Sequence, residues 1–179
     1  INLDAGVKIT ASDGESRVIG AGEVILVEDV KGKGHRSQAI EGKLRHFVAR
    51  VQSTGVSVTS FGIVDDARSA AALLPRLQAA DLDLLFVDML TYATSASFAA
   101  IARGLAAPIV LVALQPSGAM DYANATTFTQ LCNDDICSIP EFAGVALRLG
   151  RPAPGVVIGM LENDPAADAE VGQWCRIAR

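Results

Sequence analysis

Basic clusters, aromatic rings, paired cysteines and long apolar runs are all scarce in this sequence, and each shortage excludes something. Fifteen Lys and Arg stand against 20 Asp and Glu, a formal charge of −5 over 179 residues. No basic run of useful length interrupts that balance, which argues against a nucleic-acid backbone as partner. Three cysteines, Cys132, Cys137 and Cys175, are odd in number and lack metal-type spacing, so a reduced, cytoplasmic compartment is expected rather than a disulfide framework. No apolar stretch approaches the roughly 18 residues of a membrane span, and no basic-then-apolar leader opens the chain. The first residue is Ile rather than Met, which points to a piece of a longer chain.

Half of the residues are hydrophobic but only 5% are aromatic, so the core must come from Ala, Val, Leu and Ile. That palette suits helices packed on a parallel sheet, whose buried strands read as unbroken apolar runs. Residues 1–27 have a β pattern: Val7 and Ile9 alternate, and Ser12-Asp13-Gly14-Glu15 is a hairpin signal. A second strand, a Gly20-Ala21-Gly22 bend and the run Val24–Val27 follow. Beyond residue 40 the period changes, with Leu44, Phe47, Val48 and Val51 forming one helical stripe that ends before Gly55.

Strands and helices then alternate. "VSVTSFGIV" (56–64) is expected as a strand, and Asp65-Asp66 opens an Ala/Leu helix that Pro75 shortens or kinks. "LDLLFVDML" and "PIVLVAL" are further strands, separated by a helix carrying Phe98, Ile101, Ala102 and Leu105. Ser138 and Glu141 have capping-box spacing ahead of a helix with Phe142, Val145, Ala146 and Leu149, closed by Gly150. "GVVIGML" is the next strand, and Asp164-Pro165 caps a last helix with Val171, Trp174, Cys175 and Ala178 on one face. This order predicts an α/β fold, a doubly wound parallel sheet in a Rossmann- or flavodoxin-like three-layer sandwich, with an N-terminal β-hairpin extension.

Ligands in such sheets collect beyond the carboxyl ends of the strands. Two loops there are unusually polar. "DMLTYATSASF" (88–98) carries Tyr92 and several hydroxyls, and "LQPSGAMDYANATT" (114–127) carries Gln115, Asp121, Tyr122 and Asn124. Both suit a polyhydroxylated ligand, although helix capping and turn chemistry explain Ser95, Ser97, Ser117 and Gly118 as well. Other groups point to structural roles. "VEDVKGKGHRSQ" (27–38) lacks the upstream glycine of a phosphate loop, and its Gly-Lys-Gly-His reads as a turn. His35 and His46 have no carboxylates at ligand spacing, so no metal is expected in this chain. Cys132 and Cys137 flank "NDDI", where acidic neighbours raise a thiol pKa, and Asp134-Asp135 could bind a cation but reads first as a solvated turn or helix cap.

The segments "DLDLLFVDMLTYATSASFAAIA", "APIVLVALQPSGAMDY", "SIPEFAGVALRLG" and "VVIGMLENDPAADAEVGQWCRIAR" carry a resemblance. Residues 42–179, about three quarters of the chain, resemble the N-terminal α/β domain of the L-arabinose isomerase family, within the arabinose/fucose isomerase group. The domain boundary is accordingly expected at 40/41. The resemblance implies aldose–ketose interconversion by a divalent metal, usually manganese, held by glutamates and histidines of later domains. This chain would then supply the substrate-side loops and oligomer contacts of a trimer or hexamer, without the metal centre, and be inactive alone. The implied sugar-contacting residues are Tyr92, Phe98, Gln115, Asp121 and Tyr122.

Residues 1–40 are similar to the closing part of small cupin domains, through "ASDGESRVIGAGEVILVEDVKGKGHRS". Most of a cupin barrel and its metal motif have no counterpart, which leaves His35 as the one candidate ligand. Physical economy suggests that Val24–Glu28 is recruited as the first strand of the parallel sheet, with "KGKGHRSQ" as its strand-to-helix loop and residues 3–20 as an added hairpin. Two alternatives remain beside the isomerase domain: a non-catalytic sugar-binding or assembly module, and a cupin-like metal protein.

Overall fold

A computed structural model of the chain describes residues 7–11, 14–19, 35–64, 66–126, 130 and 133–178. The backbone divides into two compact units, Ile1–Arg45 and His46–Arg179. The expected strand at Val24–Glu28, the bend at 20–22, the turn residues 31–34 and Cys132 all lie outside the described residues.

The first unit contains the expected hairpin. Strands β1 (Val7–Ala11) and β2 (Ser16–Ile19) pair antiparallel, Ile9 opposite Arg17 and Thr10 opposite Ser16. The Thr10 and Ser16 hydroxyls meet across the ladder at 2.8 Å. The expectation for residues 35–37 needs correcting. His35–Ser37 is not loop but a third strand, β3, antiparallel to the other side of β1 with Ala11 opposite His35. An extended Arg36 and Ser37 complete ladder bonds that an edge at β1 would leave open. The chain then enters helix α1 (Gln38–Gln52), within which the division between units falls.

The second unit is built on a three-stranded parallel sheet, ordered β4 (Leu85–Asp88), β5 (Ile109–Gln115), β6 (Gly155–Met160). Leu85 pairs with Ile109, and Val110 with Gly155. β5 lies between the other two, and its first six residues are all buried. Its side chains alternate between two clusters. Ile109, Leu111 and Ala113 pack with Met89, Phe98, Phe142 and Val145, whereas Val110, Val112 and Leu114 pack with Phe47, Val51, Val171 and Cys175. The first cluster is covered by α3 (Ser95–Gly104) and α4 (Ile139–Arg148), the second by the end of α1 and by α5 (Pro165–Ile177). Each fully buried Leu or Val of β5 contributes roughly 1.5–3 kcal/mol. A third cluster joins Ala70, Leu73 and Leu77 of α2 (Ala67–Ala79) to Ile101 of α3 and Leu105 just after it.

Helix ends follow the sequence signals in most places. Asp66 and Ser69 form a reciprocal capping box on α2, and Asp164 accepts from the Ala166 and Ala167 N–H groups at the start of α5. After α4, the Gly150 N–H reaches the Leu147 carbonyl and the Arg151 N–H reaches that of Ala146, the bond pair of a Schellman stop. Pro75 lies inside helix α2, which runs four residues beyond it. Two expectations change. Residues 56–64 form no strand. Val56 and Val58 still press on the second cluster, and Phe61 and Val64 on the third, but Gly62 at φ +86° breaks the extended run. Ser138 and Glu141 do not make a capping box, for reasons that belong to the site. No helix among the described residues is long and apolar enough to cross a membrane.

Candidate functional site

β5 delivers Gln115 to the carboxyl end of the sheet, where its carbonyl accepts from the Leu161 N–H at 2.8 Å and extends the ladder with β6 by one bond. An open depression of about 510 Å³ begins there. It is lined by Gln115, Ser117, Tyr122, Asn133, Asp134 and Ile136, together with residues 118–120. The far wall is fixed by one residue. The Asn133 amide accepts from the Ser117 N–H and donates to the Ser117 carbonyl, both at 3.0 Å, while the Gln115 Nε2 donates to the Asn133 carbonyl at 2.6 Å. These three bonds tie residues 115–117 to a segment some sixteen residues later, so the wall is set before any ligand arrives.

The five sequence-derived site residues do not gather in one place. Gln115 and Tyr122 line the depression, the tyrosine 86% exposed. Asp121 precedes it but spends its carboxylate locally, accepting from Asn124 Nδ2 at 2.7 Å and from the Ala123 N–H at 3.1 Å. Those bonds, the Asn124 one foremost, hold its pKa below the usual 3.8. Asp121 is therefore a turn former here. Tyr92 is 53% exposed but is not among the lining residues. Phe98 is 2% exposed and stacks on Phe142 with ring centroids 4.8 Å apart. It offers no surface to a sugar, because the first helical turn of α3 directs it into the core.

Asn133, Ser117 and Ile136 were not legible in advance as lining residues. No local pattern marks Asn133, since its partners are fixed only when the chain from β5 folds back on itself. Asp135 is fully buried, so of its two expected roles, solvated turn or helix cap, the solvated turn does not hold for it. Cys137 bonds to the Asp134 carbonyl at 3.2 Å, and its thiol pKa is raised, first by desolvation and then by hydrogen bonding and charge at Asp134. That direction suits an inert thiol.

Ser138 and Glu141 act on the neighbouring loop instead of their own helix. The Ser138 hydroxyl accepts from the Ala93 N–H and donates to the Ala93 carbonyl, each at 2.9 Å. Glu141 Oε1 accepts from the Ser95 N–H at 2.9 Å and caps α3, whose own N-cap residue Thr94 makes no side-chain capping bond. Hydrogen bonding to Ser95, from its side chain first and its N–H next, with Arg148 adding a smaller attraction, holds the Glu141 pKa below the usual 4.5. Ser138 itself has helical backbone angles (φ −79°, ψ −18°), which aim its side chain away from the N–H groups a cap would serve.

Arg50 closes the opposite side of the sheet end. Its guanidinium donates to the Met160 and Leu161 carbonyls at 3.2 and 2.9 Å and pairs with Asp168 at 2.8 Å. Among the described residues, no group of three or more His, Cys, Asp and Glu side chains is arranged to hold a metal ion. No protein-family model matches the chain. No curated protein matches it significantly either.

Proposed function

We propose that the second unit is the substrate-side N-terminal domain of an aldose–ketose isomerase similar to the L-arabinose isomerase family, a doubly wound sheet that handles a neutral sugar. The supporting observation is the chemistry of the depression beyond β5. It is lined by the Gln115 and Asn133 amides, each already bonded within the wall, and by the Ser117 hydroxyl, the Tyr122 phenol and the Asp134 carboxylate, with no Lys, Arg or His among its lining residues. Amides and hydroxyls donate and accept at once, as vicinal sugar hydroxyls require. A phosphorylated sugar would call for a cation to match it. The depression is open, which fits a site completed by another subunit of a trimer or hexamer and by domains bearing the Glu and His ligands of a manganese ion.

The depression also bears on how the reading is tested. Gln115→Ala would remove the bond to Asn133 as well as any sugar contact, so it confuses stability with binding. Tyr122 is 86% exposed and replaces it as the probe. Saturation-transfer NMR should detect weak, millimolar binding of L-arabinose, lost in Tyr122→Ala at unchanged melting temperature, and no comparable binding of arabinose 5-phosphate. Preference for the phosphate, or no response to either sugar, would refute the proposal. Binding without isomerase activity in a chain that carries the metal-bearing domains would favour a sugar-binding module instead.

A further inference from the structure

The two polar loops at the sheet end are joined by one short segment. At its start, Asn133 clasps Ser117 through both amide atoms and receives Gln115 Nε2 on its carbonyl. Five residues on, Ser138 grips both polar atoms of the Ala93 peptide, and at the first turn of α4 Glu141 takes the Ser95 N–H. Between these attachments Asp135 and Ser138 are wholly buried, in a 3-10 turn (Asp135–Ser138) that leads directly into α4. Tyr92 adjoins the residue that Ser138 holds.

We infer that residues 133–141 form a positioning bracket, in which Ser138 and Glu141 hold the Tyr92 loop in fixed relation to the Gln115–Ser117 wall. Its bearing on ligand binding rests on the sugar reading above. Local stability alone does not account for where these side chains go. A serine and a glutamate at capping-box spacing would ordinarily serve the N–H groups of their own helix. Here both are diverted to the same foreign loop, at alternate residues 93 and 95. α3 thereby receives its cap from α4, so the start of α3 and the Tyr92 loop before it follow the bracket. The opposite end of the bracket follows the wall of the depression, through the Asn133 bonds to Ser117 and to the Gln115 amide.

Amide hydrogen exchange on the ¹⁵N-labelled full chain tests this without any ligand. Glu141→Ala should speed exchange at Ser95 about tenfold or more, the usual consequence of losing a charged acceptor. Glu141→Gln, which keeps an acceptor oxygen, should restore most of the protection. Ser138→Ala should act likewise on Ala93, with Val112 in β5 unchanged throughout. The decisive variant is Asn133→Ala. A bracket requires that it speed exchange at Ala93 and Ser95 as well as at Ser117. If only Ser117 responds, or if Val112 speeds up as much as the loops, the bracket is refuted. Should Ser138→Ala fail to fold, the Glu141 pair and Asn133→Ala still decide. A chain that shows the coupled pattern but binds no L-arabinose upholds the bracket and sinks only the sugar reading. Arabinose binding without the coupled pattern does the reverse.

Discussion

Single side chains at the sheet end carry several bonds apiece, and Asp164 shows the consequence. Its carboxylate accepts from the Ala166 and Ala167 N–H groups and, through Oδ2, from the Met160 N–H at 2.8 Å. Those bonds hold its pKa below the usual 3.8; backbone acceptance likewise lowers Asp66, while the Ser95 side chain, and then the Ser95 N–H, lower Glu141. A carboxyl whose folded pKa lies below its unfolded value stabilises the fold above the unfolded pKa, and that contribution is lost as pH falls through the folded one. Urea denaturation followed by Trp174 fluorescence should therefore show a wild-type advantage over Asp164→Asn that is constant above about pH 5 and shrinks below pH 4. An advantage independent of pH would show that Asp164 acts through shape alone. Aspartate followed by proline announced this cap in the sequence. The bond to Met160 was not announced, because it depends on β6 and α5 approaching closely.

Among elements, that approach depends on Gly159. A Cβ there would run into the Asp164 carboxylate and lie 2.8 Å from the Ala167 side chain. Gly159→Ala is expected to destabilise by about 1–3 kcal/mol through overpacking. It should also make the melting curve less dependent on acid, because it displaces the cap. Leu111, with no exposed surface and neighbours from β5, α3 and α4, should cost about 2–5 kcal/mol on truncation to Ala, readable as a urea midpoint shift at constant m-value. β5, α3, α4, β6 and α5 were legible because their apolar periods and stop signals agree with one another. The failures are equally physical. Residues 56–64 have strand-like alternation, but a strand also needs a ladder partner, and Gly62 takes a backbone angle that the extended run does not tolerate. The Ser138–Glu141 pair has the right spacing for a capping box, yet the tertiary competitor, the Ala93–Ser95 backbone, takes both side chains.

At the scale of the whole molecule, the sequence marked the end of the sheet at which polar loops collect, but not the atoms that build the depression. Gln115 and Tyr122 could be read from their place after an apolar strand. Asn133 could not, and Phe98 and Asp121 were assigned to a ligand although the core and a local turn use them. The reading of the second unit as a domain without its own metal centre predicts Mn²⁺ binding no tighter than scattered surface carboxylates give. Calorimetry showing a one-to-one site of sub-micromolar affinity would contradict it.

The central claim, that the depression beyond β5 receives a neutral sugar, is tested most directly by backbone chemical-shift mapping during an L-arabinose titration. The account predicts saturable changes concentrated at residues 115–122 and 133–136, with smaller ones at 92–95 carried through the Ser138 and Glu141 bonds. No saturable change, or changes centred away from Gln115, Ser117 and Asn133, would contradict it.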